Sequence, residues 1–241
     1  MTQQSTARRY ALYFTPEPSS AWAHVWSRWL GRSIDSGLSC QQPPIKNLEP
    51  ALFHALTGAP RRYGLHATLK APFSLAPDRS AADLEHAIRE YCVRQRALLV
   101  PSLQVKRIDR FLALAPSIAH SPIHRIAADC VQLFDSFRAP AGDQETARRK
   151  HADLDNDEAI LLARWGYPYV LHRFRFHLTL TGPLDTLNAQ QLTNVIQAAQ
   201  MTLASISEQP LVLDALSILT QTTPHDDFEL VARIPFATVS Q

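Results

Sequence analysis

Two short stretches of the chain place a histidine and a hydroxyl two residues apart: His66-Ala67-Thr68-Leu69 and His177-Leu178-Thr179-Leu180. In an extended strand alternate side chains share a face, so His66, Thr68 and Lys70 point one way and Leu65, Ala67 and Leu69 the other. In the second stretch Arg173, Arg175, His177, Thr179 and Thr181 line up opposite Phe174, Phe176, Leu178 and Leu180. Burying such a polar row is costly unless it finds partners or lines a solvent-filled cleft. Two imidazoles across one cleft suit in-line displacement at phosphorus, one taking a proton from water or a hydroxyl and the other protonating the leaving oxygen. Thr68 and Thr179 are then placed to donate to non-bridging oxygens, and Lys70 with Arg173 or Arg175 to offset the transition-state charge. Tyr13, Tyr63 and Thr181 are further candidates for substrate contact. This chemistry calls for neither a metal nor a cofactor.

Either motif alone carries little weight. A His-x-Thr string is common by composition, a lone strand histidine is more simply a hydrogen-bonded core residue, and a lysine at a strand end often snorkels to water. The repetition is what counts. Laying RYGLHATLKAPF from Arg62 over RFRFHLTLTGPL from Arg173 matches Arg, His, Thr, Leu and Pro without a gap.

The elements that must hold these residues also recur in order. Arg9 to Thr15 reads as a buried strand closed by Pro16, followed by a helix capped at Ser19 or Ser20 and ended by Gly31. After a polar connection and a short helix from Ala51 to Leu56, Tyr63 to Phe73 is predicted as a strand stopped by Pro72. A helix from Ser80, strands at Leu103 to Ile108 and Phe111 to Leu114, and a helix opened by Pro122 follow. Asp143 to Trp165 reads as helical. The second set comprises a strand over Phe174 to Leu184, a helix from Asn188, and strands over Leu211 to Leu219 and Phe228 to Ile234. The pattern predicts an α+β fold of two pseudo-symmetric lobes, at about residues 1–140 and 141–241. Each lobe would be an antiparallel sheet with helices on its outer face, and the two would share a central cleft.

Composition narrows the partners. A formal charge of +2 on 241 residues gives no global field toward nucleic acid or membrane, so affinity for phosphate must be local. Cys40, Cys92 and Cys130 are scattered and odd in number, which suits free thiols in a reducing, cytoplasmic setting. The apolar run Ala11 to Phe14 is too short for a signal sequence or a membrane span. His120 and His124 have the spacing of a helical metal-ligand pair, but Pro122 between them puts His120 ahead of the helix. His151-Ala-Asp153 and Asp155-Asn-Asp157 lack the glycine and terminal glutamate of a calcium loop and read as a solvated helix face.

The duplicated His-x-Thr pattern resembles the 2H phosphoesterases, in which each of two duplicated lobes gives one such motif to a central cleft. The wider match lies in RYALYF from Arg9, RRYGLHATLKAPF from Arg61, YPYV from Tyr167 and FRFHLTLTG from Phe174. It is similar to the branch encoded in bacterial phosphonate-utilisation operons. The resemblance implies a metal-independent phosphodiesterase acting on a small cyclic phosphate ester of a ribose sugar or nucleotide, with His66 and His177 as base and acid in either order. A non-catalytic module gripping a nucleotide or RNA end in the same cleft is the competing expectation, and a ligase-like or transferase use of the clamp is a third.

Overall fold

Strand β1 (Arg9–Phe14) is buried on both faces from Ala11 onward, as its unbroken apolar run requires. The computed structural model describes residues 8–118, 120–140 and 154–237. In it β1 lies inside a four-stranded antiparallel sheet of order β2-β1-β8-β9, with β2 at Ala67–Ser74, β8 at Ala215–Gln221 and β9 at Glu229–Pro235. A second antiparallel sheet holds β4 (Leu103–Ile108), β5 (Phe111–Pro116) and β6 (Leu178–Thr179) in that order. A short pair, β3 (Leu98–Leu99) with β7 (Val212–Leu213), joins the two halves of the chain.

Helix α1 (Ala21–Leu30) starts at Ser20, whose hydroxyl accepts from the Ala23 amide, and ends at Gly31 in the left-handed conformation. Its Trp22, Trp26 and Trp29 are buried, and the Trp29 indole donates to the Leu180 carbonyl at 3.0 Å, tying α1 to the second motif. Short helices α2 (Pro50–Leu56) and α3 (Gly58–Arg61) lead to the first motif. Helix α4 (Ala81–Cys92) opens with a Ser80–Asp83 capping box and packs on β8 and β9. Helix α5 (Ser121–Leu133) covers β2. Helix α6 (Asn156–Trp165) is the described part of the helix predicted from Asp143; its earlier portion, with His151 and Asp153, lies outside the described residues. Helix α7 (Ala189–Ala204) packs on β4. Among the described residues no helix is long and apolar enough to cross a membrane.

The fold is α+β, as expected, but sheet membership does not follow the division at residue 140. The first motif's strand β2 shares a sheet with the C-terminal hairpin β8–β9, and the second motif's strand β6 pairs with the N-terminal hairpin β4–β5. One continuous core runs through both, from Leu12, Phe14 and Leu69 to Leu112, Leu178 and Leu216. Two local expectations are corrected. Pro72 lies inside β2 instead of ending it, because β2 is an edge strand and the β1–β2 register shifts between Tyr10 and Leu12, opposite the proline. The second motif's strand is laddered only at Leu178–Thr179, because the amides of Leu180 and Thr181 both turn to the single Leu112 carbonyl.

Candidate active site

His66 immediately precedes β2, and the loop before it is pinned from several sides. The Arg62 guanidinium donates to the carbonyls of Pro224 (2.6 Å) and Asp226 (2.8 Å), and the Arg62 carbonyl accepts from the Phe228 amide. Gly64 turns with φ +65° and offers its carbonyl to His66 Nδ1 at 2.9 Å. His177 repeats the arrangement, with Nδ1 2.8 Å from the Arg175 carbonyl. A carbonyl can only accept, so in both rings Nδ1 carries the proton and Nε2 is left with its lone pair. Each imidazole is thus fixed in the same tautomer by the backbone two residues earlier.

Both rings line one cavity of about 370 Å³, together with Thr68, Thr179, Tyr13 and Tyr63. The alternation holds in the walls, since Leu65, Ala67 and Leu69 and, opposite, Phe174, Phe176, Leu178 and Leu180 are buried behind the polar rows. Tyr13 stacks on His66 with centroids 4.1 Å apart and planes at 24°, and Tyr63 tilts against the same ring at 5.6 Å. Burial therefore pushes the His66 imidazolium down to about 4; the Gly64 carbonyl partly opposes this and His177 adds to it. Burial also lowers His177, with the Arg175 carbonyl acting against and the Arg175 charge acting with it. Tyr13 is held well above the usual phenol range by burial, against which a hydrogen bond with the Thr68 side chain acts.

The remaining expected residues are distributed differently. Lys70 is not in this cavity. Strand β2 runs on beneath α5, and the ammonium donates to the Val131 carbonyl at 3.1 Å and to Asp135 at 3.3 Å, with the side chain 4% exposed. Asp135 is pushed up by burial but pulled below the carboxylate range overall by Arg138 and Lys70. The expectation of Lys70 as a phosphate clamp is therefore replaced by a buried structural pair. Lys70→Met is expected to lower stability by about 1–3 kcal/mol, since Asp135 keeps Arg138 as a partner, with little change in any activity. Denaturant unfolding alongside turnover would show which property moves.

Arg173 sits in a 3-10 turn (Leu171–Arg173), not on a strand, and is bound by Asp155 at 2.7 Å and Asp157 at 2.6 Å, so its charge is already matched. The Thr181 hydroxyl faces the cavity wall but accepts from the Leu112 amide at 2.9 Å, which takes up its main polar contact. Arg175 is exposed on the wall of an adjoining cavity of about 480 Å³. The β4–β5 hairpin tip was missed in the sequence: Asp109, with φ +48°, Arg110 and Phe111 reach these two cavities, and Arg110 pairs with Asp185. The two-residue gap between predicted strands was the available signal. Tyr167 borders both cavities as well. His120 is the N-cap of α5, ahead of the helix, and among the described residues no group of three His, Cys, Asp or Glu side chains is placed to hold a metal ion.

Fold and site together define an α+β protein whose two sheets bring two imidazoles of the same tautomer and two threonines to one cavity. Residues 68–229 match the family described as Protein of unknown function (DUF1045), and the chain belongs to that family. It is also similar to two proteins named ribose 1,5-bisphosphate phosphokinase PhnN. One, from Janthinobacterium sp. (strain Marseille), is 40% identical over 95% of this chain and 51% of its own length. The other, from Laribacter hongkongensis (strain HLHK9), is 35% identical over 75% of this chain and 41% of its own. The chain spans about half the length, or less, of these curated relatives.

Proposed function

We propose that this chain is a phosphoesterase of the 2H type, its duplicated lobes related by a pseudo-twofold axis, that hydrolyses a cyclic phosphodiester of a ribose sugar or nucleotide in phosphonate metabolism. The observation that carries the reading is the pair of imidazoles with matching Nδ1–carbonyl bonds facing one cavity with two threonines. One free Nε2 accepts a proton from water while the protonated Nε2 of the other ring delivers one to the leaving oxygen. Thr68 and Thr179 donate to the non-bridging oxygens.

The relatives' name points to a kinase, and phosphoryl transfer from a nucleotide is the second reading. Against it, none of the chain's four lysines (Lys46, Lys70, Lys106 and Lys150) follows a glycine, so the Gly-x-x-x-x-Gly-Lys-Ser/Thr phosphate loop is missing from this sequence. We assign the kinase step in those relatives to the portion of their length outside the match. Chemistry links the two parts: opening a 1,2-cyclic phosphate of ribose 5-phosphate at O2 gives ribose 1,5-bisphosphate, the compound in the relatives' name. Incubating the protein with ribose and nucleoside cyclic phosphates, followed by phosphorus NMR, is expected to show conversion to monoesters without ATP. Loss of ATP's γ-phosphate to a ribose phosphate, with every cyclic ester untouched, would favour the kinase reading instead.

A further inference from the structure

The two cavities at the site adjoin, with Thr68, Phe111, Tyr167 and His177 in the walls of both. The two motifs are not equivalent with respect to it. His66 and Thr179 face only the first cavity, whereas His177 stands at the junction. The walls also differ in charge. Among the described residues no carboxylate lines the first cavity, while Asp109 and Glu158 line the second beside Arg175, the ion-paired Arg173 and the half-exposed ring of Tyr169.

A phosphate is repelled by carboxylates, and sugar hydroxyls are good donors to them. The phosphoryl group therefore belongs in the first cavity, between the hydroxyls of Thr68 and Thr179, and the carbon skeleton in the second. At about 480 Å³ the second cavity is within the range of small-ligand sites. In an in-line displacement the attacking and leaving oxygens lie on opposite sides of phosphorus, and the leaving oxygen stays attached to the carbon skeleton. It must then point toward the junction.

Resting on the phosphoesterase reading above, we propose that the cavity walled by Asp109, Glu158, Tyr169 and Arg175 seats the polyhydroxylated part of the substrate. This placement makes His177 the general acid and His66 the general base. Water held in the first cavity gives a proton to His66 Nε2 as its oxygen bonds to phosphorus. The phosphorus–ester oxygen bond breaks, and that oxygen takes the proton from His177 Nε2. The cycle closes when His66 releases a proton to solvent and His177 takes one up.

The test compares a nucleoside 2′,3′-cyclic phosphate with catechol cyclic phosphate, whose phenolate leaves with far less need of a proton. His177→Ala is expected to lose about 10²–10⁴-fold on the sugar ester and less than about tenfold on the catechol ester, whereas His66→Ala loses equally on both. Asp109→Asn, which tolerates the positive φ, is expected to raise KM about tenfold for the sugar ester and leave the catechol ester unchanged. Rescue of His66→Ala instead, equal losses for both variants on both esters, or an unchanged KM in Asp109→Asn would overturn the assignment while leaving the phosphoesterase reading intact. Failure of the wild type to open any cyclic ester would remove that reading itself.

Discussion

Replacing either imidazole, as His66→Ala or His177→Ala, is expected to lower kcat by about 10²–10⁴-fold while the circular dichroism spectrum and unfolding transition remain those of a folded protein. Neither ring belongs to the main core: among the described residues each hydrogen-bonds a carbonyl two residues away, and each borders the cavity. The double variant should be little worse than the weaker single one, because acid and base act in one step. The pH dependence has a definite sense. With His66 depressed to about 4 and His177 also below its ordinary value, kcat/KM, which reports the free protein, should peak on the acid side of neutrality. An anionic substrate favours both imidazoliums, so the kcat profile should lie at higher pH. Folding is linked to the same group. Between about 4 and the ordinary 6.5 the unfolded chain binds a proton that folded His66 does not, so stability falls as pH drops through that window. His66→Ala should flatten that slope. A double alanine variant with wild-type turnover, or a flat pH profile, would remove the paired-imidazole mechanism.

Local features carried the secondary structure. The Ser20 cap, the Gly31 stop and the Ser80–Asp83 box are short-range chemistry, and the period-2 burial behind both motifs follows from the pleat. What covers a strand is set by partners distant in the chain. His66, Thr68 and Lys70 are equivalent by alternation, yet α5 overlies the strand at Lys70 and leaves the cavity open at His66 and Thr68. Arg173 likewise reads as part of the motif row, until Asp155 and Asp157 from the start of α6 claim it. The exchange of hairpins between the two sheets is equally non-local: β5 pairs with β6 across more than sixty residues, and no local pattern names that partner. The motif pair was legible because it repeats. The hairpin tip at Asp109, Arg110 and Phe111 was not, because it occurs once and gains its meaning only from the cavities it reaches.

Gly64→Ala is expected to lower both stability and activity, and for linked reasons. The residue adopts φ +65°, where a side chain costs about 1–2 kcal/mol on its own. A Cβ built there would stand 2.5 Å from Ile34 Cβ and 3.0 Å from its Cγ1, so the backbone or the Ile34 segment must shift. Ile34 packs with Tyr63 against the cluster of Tyr13 and Phe228, which leaves it little room to yield. The combined loss should reach about 2–4 kcal/mol. Gly64 also supplies the carbonyl that holds His66 Nδ1–H, and a displaced carbonyl frees the ring to adopt the other tautomer, with Nε2 protonated and unable to accept. A further loss in kcat of about 10–100-fold follows, larger than the change in KM. Ile34→Gly in the Gly64→Ala background removes the clashing atoms and should restore part of both losses, a non-additive result in a double-mutant cycle. If Gly64→Ala melts early but turns over at the wild-type rate when folded, the carbonyl does not set the His66 tautomer. If the two substitutions are strictly additive, the contact with Ile34 is not what makes this position require glycine.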